Sequence, residues 1–175
     1  MSLKSLWSLH LFFLGLLCSS ITVSGCSFTA GVPQWSGNGF IKKELLEYRK
    51  IAVLPFKGDP KGEASDTFAQ TFHEKFEPVV LVSHKPLLEF FKEKDLYSDR
   101  LTEGTRREIG EVFGVQALIL GNVYYPSIVR WLLQVEIIDV NTGEVVGRST
   151  VEVNYIGAEG MKQASRIAVQ NLRLR

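Results

Sequence analysis

Cysteine is nearly absent: the 175 residues hold two, Cys18 and Cys26. Two cannot build a disulfide framework or a cysteine-rich zinc site. Histidine is almost as scarce, with His10, His73 and His84. The pair His73-Glu74 has no second histidine at the spacing a zinc helix needs, so HEKFE is no metalloprotease motif. No phosphate loop is present, since Gly58 and Gly62 flank Asp59 and Pro60 without the lysine and hydroxyl such a loop requires. Nor is there a G-x-S-x-G elbow to expose a nucleophile. Neither sign of charge dominates, with 20 Lys+Arg against 19 Asp+Glu, so the electrostatic footprint of a nucleic-acid binder is missing. These absences predict a protein that is not an enzyme and that takes no cofactor, metal or nucleic acid.

Long apolar runs are also missing, with one exception at the amino terminus. Lys4 precedes the uninterrupted run Leu11 to Leu17 (LFFLGLL), a signal-peptide profile too short for the roughly 20 residues of a spanning helix. Val23-Ser24-Gly25-Cys26 follows and resembles the bacterial lipobox. Small side chains at the cut suit a shallow peptidase pocket, and the thiol of Cys26 is the nucleophile that accepts lipid. Cys18 has Leu16 and Leu17 before it and does not fit. The reading is a precursor cleaved before Cys26 and held to an envelope membrane by its acylated cysteine, because two or three acyl chains anchor stably where one does not. Cleavage removes Cys18 and His10 and leaves 150 residues, enough for one domain with a proper core. Ser27 replaces the aspartate that, in Gram-negative lipoproteins, favours inner-membrane retention, so the expected site is the periplasmic face of the outer membrane.

Three segments are expected: a signal peptide at 1–25, the lipidated cysteine and a linker at 26–49, and an α/β domain at 50–175. The linker of 23 residues after Cys26 spans roughly 25 Å as a flexible chain and roughly 80 Å stretched, although Phe40 to Tyr48 has helical spacing at Ile41, Leu45 and Tyr48. Lys50 to Phe56 (KIAVLPF) reads as a strand buried on both faces. A helix from about Ala64 carries Ala64, Phe68, Phe72 and Phe76 in one stripe. Val79 to Val82 is a second buried strand, and Ser83 and Pro86 open a helix with Leu87, Leu88, Phe90 and Phe91 inward. Thr105 to Phe113 is a helix stopped at Gly114. Gln116 to Tyr125 is a long strand. Ile128 to Val140 and Glu144 to Asn154 form a hairpin about Asn141-Thr142-Gly143, with Trp131, Leu133, Val135 and Ile137 on one face and Val145, Val151 and Val153 alternating on the return. Gly157 to Leu174 closes the chain as an amphipathic helix. The fold class is α/β, a single-domain sandwich in which helices cover a mixed β-sheet with a C-terminal hairpin.

Lys50 to Phe56 (KIAVLPF), Val115 to Val123 (VQALILGNV) and Val135 to Val146 (VEIIDVNTGEVV) resemble strands of a known envelope-assembly domain. It is shared by the TolB amino-terminal domain, the curli secretion lipoprotein CsgG and their relatives, and the likeness covers most of residues 50–172. The resemblance implies a non-enzymatic, assembly-forming periplasmic domain. CsgG itself carries membrane-spanning hairpins for which this chain has no room, and LpoB-like activators of penicillin-binding proteins use a longer linker. The length is most similar to PelC-like lipoproteins of Pel exopolysaccharide export. That resemblance implies a homo-oligomeric ring under the membrane, an outer-membrane β-barrel porin as partner and a cationic polysaccharide as cargo. The alternative is a lipoprotein regulator of a periplasmic enzyme, or another CsgG-type secretion component.

A conduit for a cationic polymer needs carboxylates repeated around a ring, where weak attractions sum into a focusing field. The candidates are Asp95, Asp99, Glu136 and Asp139, each of which an ordinary charged surface would equally explain. Arg130-Trp131 is the candidate subunit contact if the tryptophan is exposed, and core if it faces inward. Tyr155-Ile156, at the bend between the last strand and helix, either caps the core or touches lipid headgroups.

Overall fold

In the computed structural model, which describes residues 35–82, 84–94, 101–127, 130–153 and 158–175, the first strand lies inside the stretch expected to be linker. This strand, β1 (Trp35–Ile41), pairs antiparallel with β6 (Val145–Val153) along its whole length, from Trp35 opposite Val153 to Ile41 opposite Gly147. A 3-10 helix, Lys43–Glu47, follows and buries Leu45. The docked turn at 40–48 is therefore real, but it belongs to the domain. Two glycines hide β1 in the sequence. A β-carbon on Gly37 would lie 2.4 Å from the Thr150 carbonyl oxygen and 2.9 Å from Asn171 Nδ2, and one on Gly39 would lie 3.0 Å from the Asn171 carbonyl oxygen. The close approach of residue 171 forbids the alternating apolar side chains by which a strand is usually recognised.

The apolar run at 50 forms β2 (Lys50–Val53), in parallel register with β3 (Val80–Val82) and β4 (Ala117–Ser127). Antiparallel pairing of β4 with β5 (Arg130–Asp139), and of β5 with β6, completes a six-stranded mixed sheet ordered β1-β6-β5-β4-β2-β3. The helices are α1 (Glu63–Lys75), α2 (His84–Glu93), α3 (Glu103–Phe113) and α4 (Ala158–Gln170). On one face α1 and α4 close over the sheet. Ile51, Val53, Ile119, Leu133, Val135, Ile137 and Val151 meet Phe68, Phe72, Ala164 and Ala168 in one core. On the other, α2 and α3 bring Leu87, Phe90, Phe91 and Ile109 onto Ala52, Leu54 and Leu118. The expected α/β sandwich is thus present, with a helix layer on each face of a mixed sheet.

Several boundaries and faces differ from expectation. β3 is an edge strand rather than a buried one, with Val80 56% exposed. Leu88 is exposed on α2. In β6 an extra residue at Val146 slips the register, since Ile137 faces Gly147 while Ile138 faces Val145. This bulge turns Val146 into the core in place of Val145.

Polar side chains fix the helix ends. Asp59 is buried, and its Oδ2 accepts from the Ala64 and Ser65 amides at 2.9 and 3.0 Å and from Ser65 Oγ at 3.3 Å. A carboxylate there satisfies orphan donors and opposes the positive helix end. Ser165 Oγ donates to the Ala64 carbonyl at 2.9 Å where α4 crosses α1. Lys75 Nζ donates to the carbonyls of Val169, Gln170 and Leu172 at 2.9, 3.1 and 2.9 Å, closing the C-terminal end of α4. The tail then pins β1: Ile41 N donates to Arg173 O at 2.8 Å, and Arg175 N donates to Ile41 O at 3.0 Å.

Candidate functional site

Among the described residues, α2 and α3 pack on the β2 end of their face and leave the half formed by β4, β5 and β6 uncovered. Successive side chains of a strand point to opposite faces, so Asn122 and Tyr124 of β4, Gln134 and Glu136 of β5, and Arg148 and Thr150 of β6 share this surface. They line a groove of about 710 Å3. The register orders them into rows. Asn122 is opposite Gln134 and Gln134 opposite Thr150; one step down, Leu120 is opposite Glu136 and Glu136 opposite Arg148. The floor is therefore a band of amides and a hydroxyl beside one ion pair. An antiparallel sheet with one wet face tolerates this composition.

The four acidic candidates separate sharply. Glu136 Oε1 lies 2.6 Å from Arg148 Nη2, and both side chains are partly solvated. Its charge is answered across the strand, which makes it a poor element of an anionic track. Both carboxylate oxygens of Asp139 are engaged, one by its own turn and one by Tyr48. Its Oδ1 accepts from the Asn141 and Thr142 amides at 2.9 and 2.7 Å and from Thr142 Oγ1 at 3.1 Å, while Oδ2 accepts from Tyr48 Oη at 2.5 Å. Burial alone would raise the Asp139 carboxyl. The donors from Thr142, Tyr48 and Asn141 outweigh it and hold the group below the usual carboxylate value. Burial, with the Asp139 hydrogen bond and charge next, pushes the Tyr48 phenol well above its ordinary value. Asp139 is thus a turn-building residue. Asp95 and Asp99 lie outside the described residues.

Trp131 is 1% exposed and packs in the main core, so its role as a subunit anchor is withdrawn: its face of β5 looks toward α1 and α4. Arg130 is solvent-facing and pairs with Glu152 at 2.9 Å. Cys26, Tyr155 and Ile156 lie outside the described residues. Among the described residues no cluster of His, Cys, Asp or Glu is arranged to hold a metal ion, and no helix is long and apolar enough to cross a membrane. His73 is exposed on α1, with Nδ1 3.0 Å from the Val79 carbonyl.

This architecture has counterparts among solved structures. The PelC dodecamer from Paraburkholderia phytofirmans superposes with a TM-score of 0.55 at 16% identity, over 81% of this chain and 99% of that one. The chain has the PelC fold. The lipoprotein GNA1162 from Neisseria meningitidis gives a TM-score of 0.51 at 14% identity, over 60% of this chain and 79% of that one. No protein-family model matches the chain, and no curated protein matches it in sequence.

Several residues that organise the PelC-like core were not legible beforehand. Tyr48 carried a weak signal as the last apolar position of the 40–48 periodicity. Gln116 had none, yet its Oε1 accepts from the Arg49 amide at 2.6 Å and joins the entrance of β2 to that of β4. The row of Asn122, Gln134 and Thr150 is visible only once the register of three strands is known.

Proposed function

We propose that this protein is a lipid-anchored, ring-forming accessory of exopolysaccharide export at the periplasmic face of the outer membrane. The observation that carries the reading is a fold that spans 99% of a PelC subunit whose solved form is a dodecamer; the first 26 residues, read as a signal peptide ending in a lipobox cysteine, agree with it. In this reading acyl chains on Cys26 hold the body to the membrane, copies close into a ring, and a cationic polysaccharide passes through it toward a β-barrel porin. Asp95 and Asp99 are the carboxylates proposed to face that polymer, since Glu136 and Asp139 are engaged within the subunit. Tyr155 and Ile156 are proposed to touch the lipid headgroups. Supporting this, Trp35 pairs with Val153, so β1 begins and β6 ends at one end of the sheet.

The direct test replaces Asp95 and Asp99 together by asparagine in the full chain. Surface delivery of the cationic polymer should fall severalfold, with the protein still present in the outer membrane at its normal level. Undiminished delivery would refute the polymer-facing role. Export that survives deletion of the whole protein would refute the accessory function.

A further inference from the structure

Asparagine is depleted in strands, yet Asn122 stands in mid-β4 at the centre of the groove. It begins a polar row that runs across three strands, through Gln134 on β5 to Thr150 on β6, a span of roughly 10 Å. Among the described residues no side-chain hydrogen bond engages the Asn122 or Gln134 amide. On one side of the amides Tyr124 stands on the same face, 45% exposed. On the other lie Leu120, Ile138 and the Glu136–Arg148 pair.

Charge in the groove is not balanced. Glu136 is its one carboxylate among the described residues, and Arg148 answers it at 2.6 Å. Arg106 reaches in from α3, with Nε donating to the Val140 carbonyl at 2.9 Å. That partner is uncharged, so the guanidinium leaves the groove with a cationic excess.

These groups match a sugar that carries an acetamido group. Its N–H needs an acceptor and its carbonyl a donor, and a side-chain amide offers both. The C–H face of a pyranose ring is apolar and stacks on the negative face of a phenol. Ring hydroxyls can donate to Glu136 and accept from Arg148. The sign of charge then separates two forms of one sugar. An amino sugar is a cation when its nitrogen is free and neutral when it is acetylated; Arg106 repels the first and not the second.

We propose that the groove over β4, β5 and β6 binds N-acetylated amino-sugar chains through Asn122, Gln134 and Tyr124, with Arg106 excluding the free-amine form. The site is separate from the carboxylates proposed to face a cationic polymer, and it stands whether or not copies close into a ring. Two sources carry this chemistry, an exported amino-sugar polymer and the glycan strands of the cell wall.

The test titrates the full acylated protein in mild detergent, followed by ligand-observed NMR, with three tetramers. One is N-acetylglucosamine, the second is glucosamine, and the third alternates N-acetylglucosamine with N-acetylmuramic acid. The acetylated tetramer should bind roughly tenfold more tightly than the free-amine one, the effect of one or two net hydrogen bonds. Asn122→Ala combined with Gln134→Ala should remove most of that binding. Gln134→Glu, nearly isosteric at a solvent-facing position, should reverse the preference by adding a carboxylate, a result that loss of fold cannot mimic. Tighter binding of the alternating tetramer than of the N-acetylglucosamine one would uphold the site and assign it to the cell wall; weaker binding would uphold it and assign it to the exported polymer. Equal affinity for the acetylated and free-amine tetramers, binding of none of the three, or a preference unchanged in both variants would overturn the site and leave the export reading standing.

Discussion

Tyr48 and Asp139 meet across 91 residues of sequence through a 2.5 Å hydrogen bond that ties the 3-10 segment to the β5–β6 turn. The two groups perturb each other in a way that sets a pH window. The Asp139 carboxyl is held below its ordinary value, so the stability it contributes is present above the unfolded value of about 4 and lost as pH falls through the folded one. The Tyr48 phenol is raised, so its contribution is present below the unfolded value of about 10 and lost as pH climbs above that. Tyr48→Phe keeps the ring and removes the donor. It should cost about 1–2 kcal/mol near neutral pH, move the acid limb of the stability curve upward, and shrink the loss above pH 10. Urea unfolding at a series of pH values reads all three, and an unchanged acid limb would show that the Thr142 and Asn141 donors suffice. This is also why Asp139 misleads in the sequence: an acid before Asn-Thr-Gly in a hairpin serves its turn, and only the arrival of Tyr48 shows that its second oxygen is taken as well.

At the level of elements, β1 is the strand that sequence patterning could not find. Its glycines exist for the passage of Asn171 and the Thr150 backbone, so the residue types that admit close packing are the ones that read as linker. Gly37→Val raises strand propensity yet puts atoms where neighbours already stand. The prediction is destabilisation of about 1–3 kcal/mol, together with faster amide exchange along β1 and the first part of β6; a stabilised variant would mean the edge has room that the packing denies. Elsewhere the patterns were sufficient. The α1 stripe of Ala64, Phe68 and Phe72 is fully buried, and so is the inward row Trp131, Leu133, Val135 and Ile137 of β5, because an amphipathic period survives any choice of partner. Helix ends were less legible. Thr102 and Gly114 cap α3 by local rules, with Thr102 Oγ1 accepting from the Thr105 amide and Gly114 at φ 62°. Lys75 closing α4 from another helix is a tertiary fact with no local signature. The bulge at Val146 likewise arises from fitting β6 between two neighbours, and no one-strand alternation anticipates it.

For the whole molecule, a near-zero net charge gives a single copy no strong long-range field. The open half of the sheet, with its internal Glu136–Arg148 pair, adds no strong field of its own. Any focusing of a charged polymer in the proposed ring must therefore come from repetition around a symmetry axis. Ring closure is the property on which that role depends. The most direct measurement is the mass of the full acylated protein, extracted from the outer membrane in mild detergent and determined by native mass spectrometry with light scattering on the same sample. A single closed oligomer of fixed subunit number, stable to dilution, is the predicted result; a strict monomer under these conditions would contradict the account.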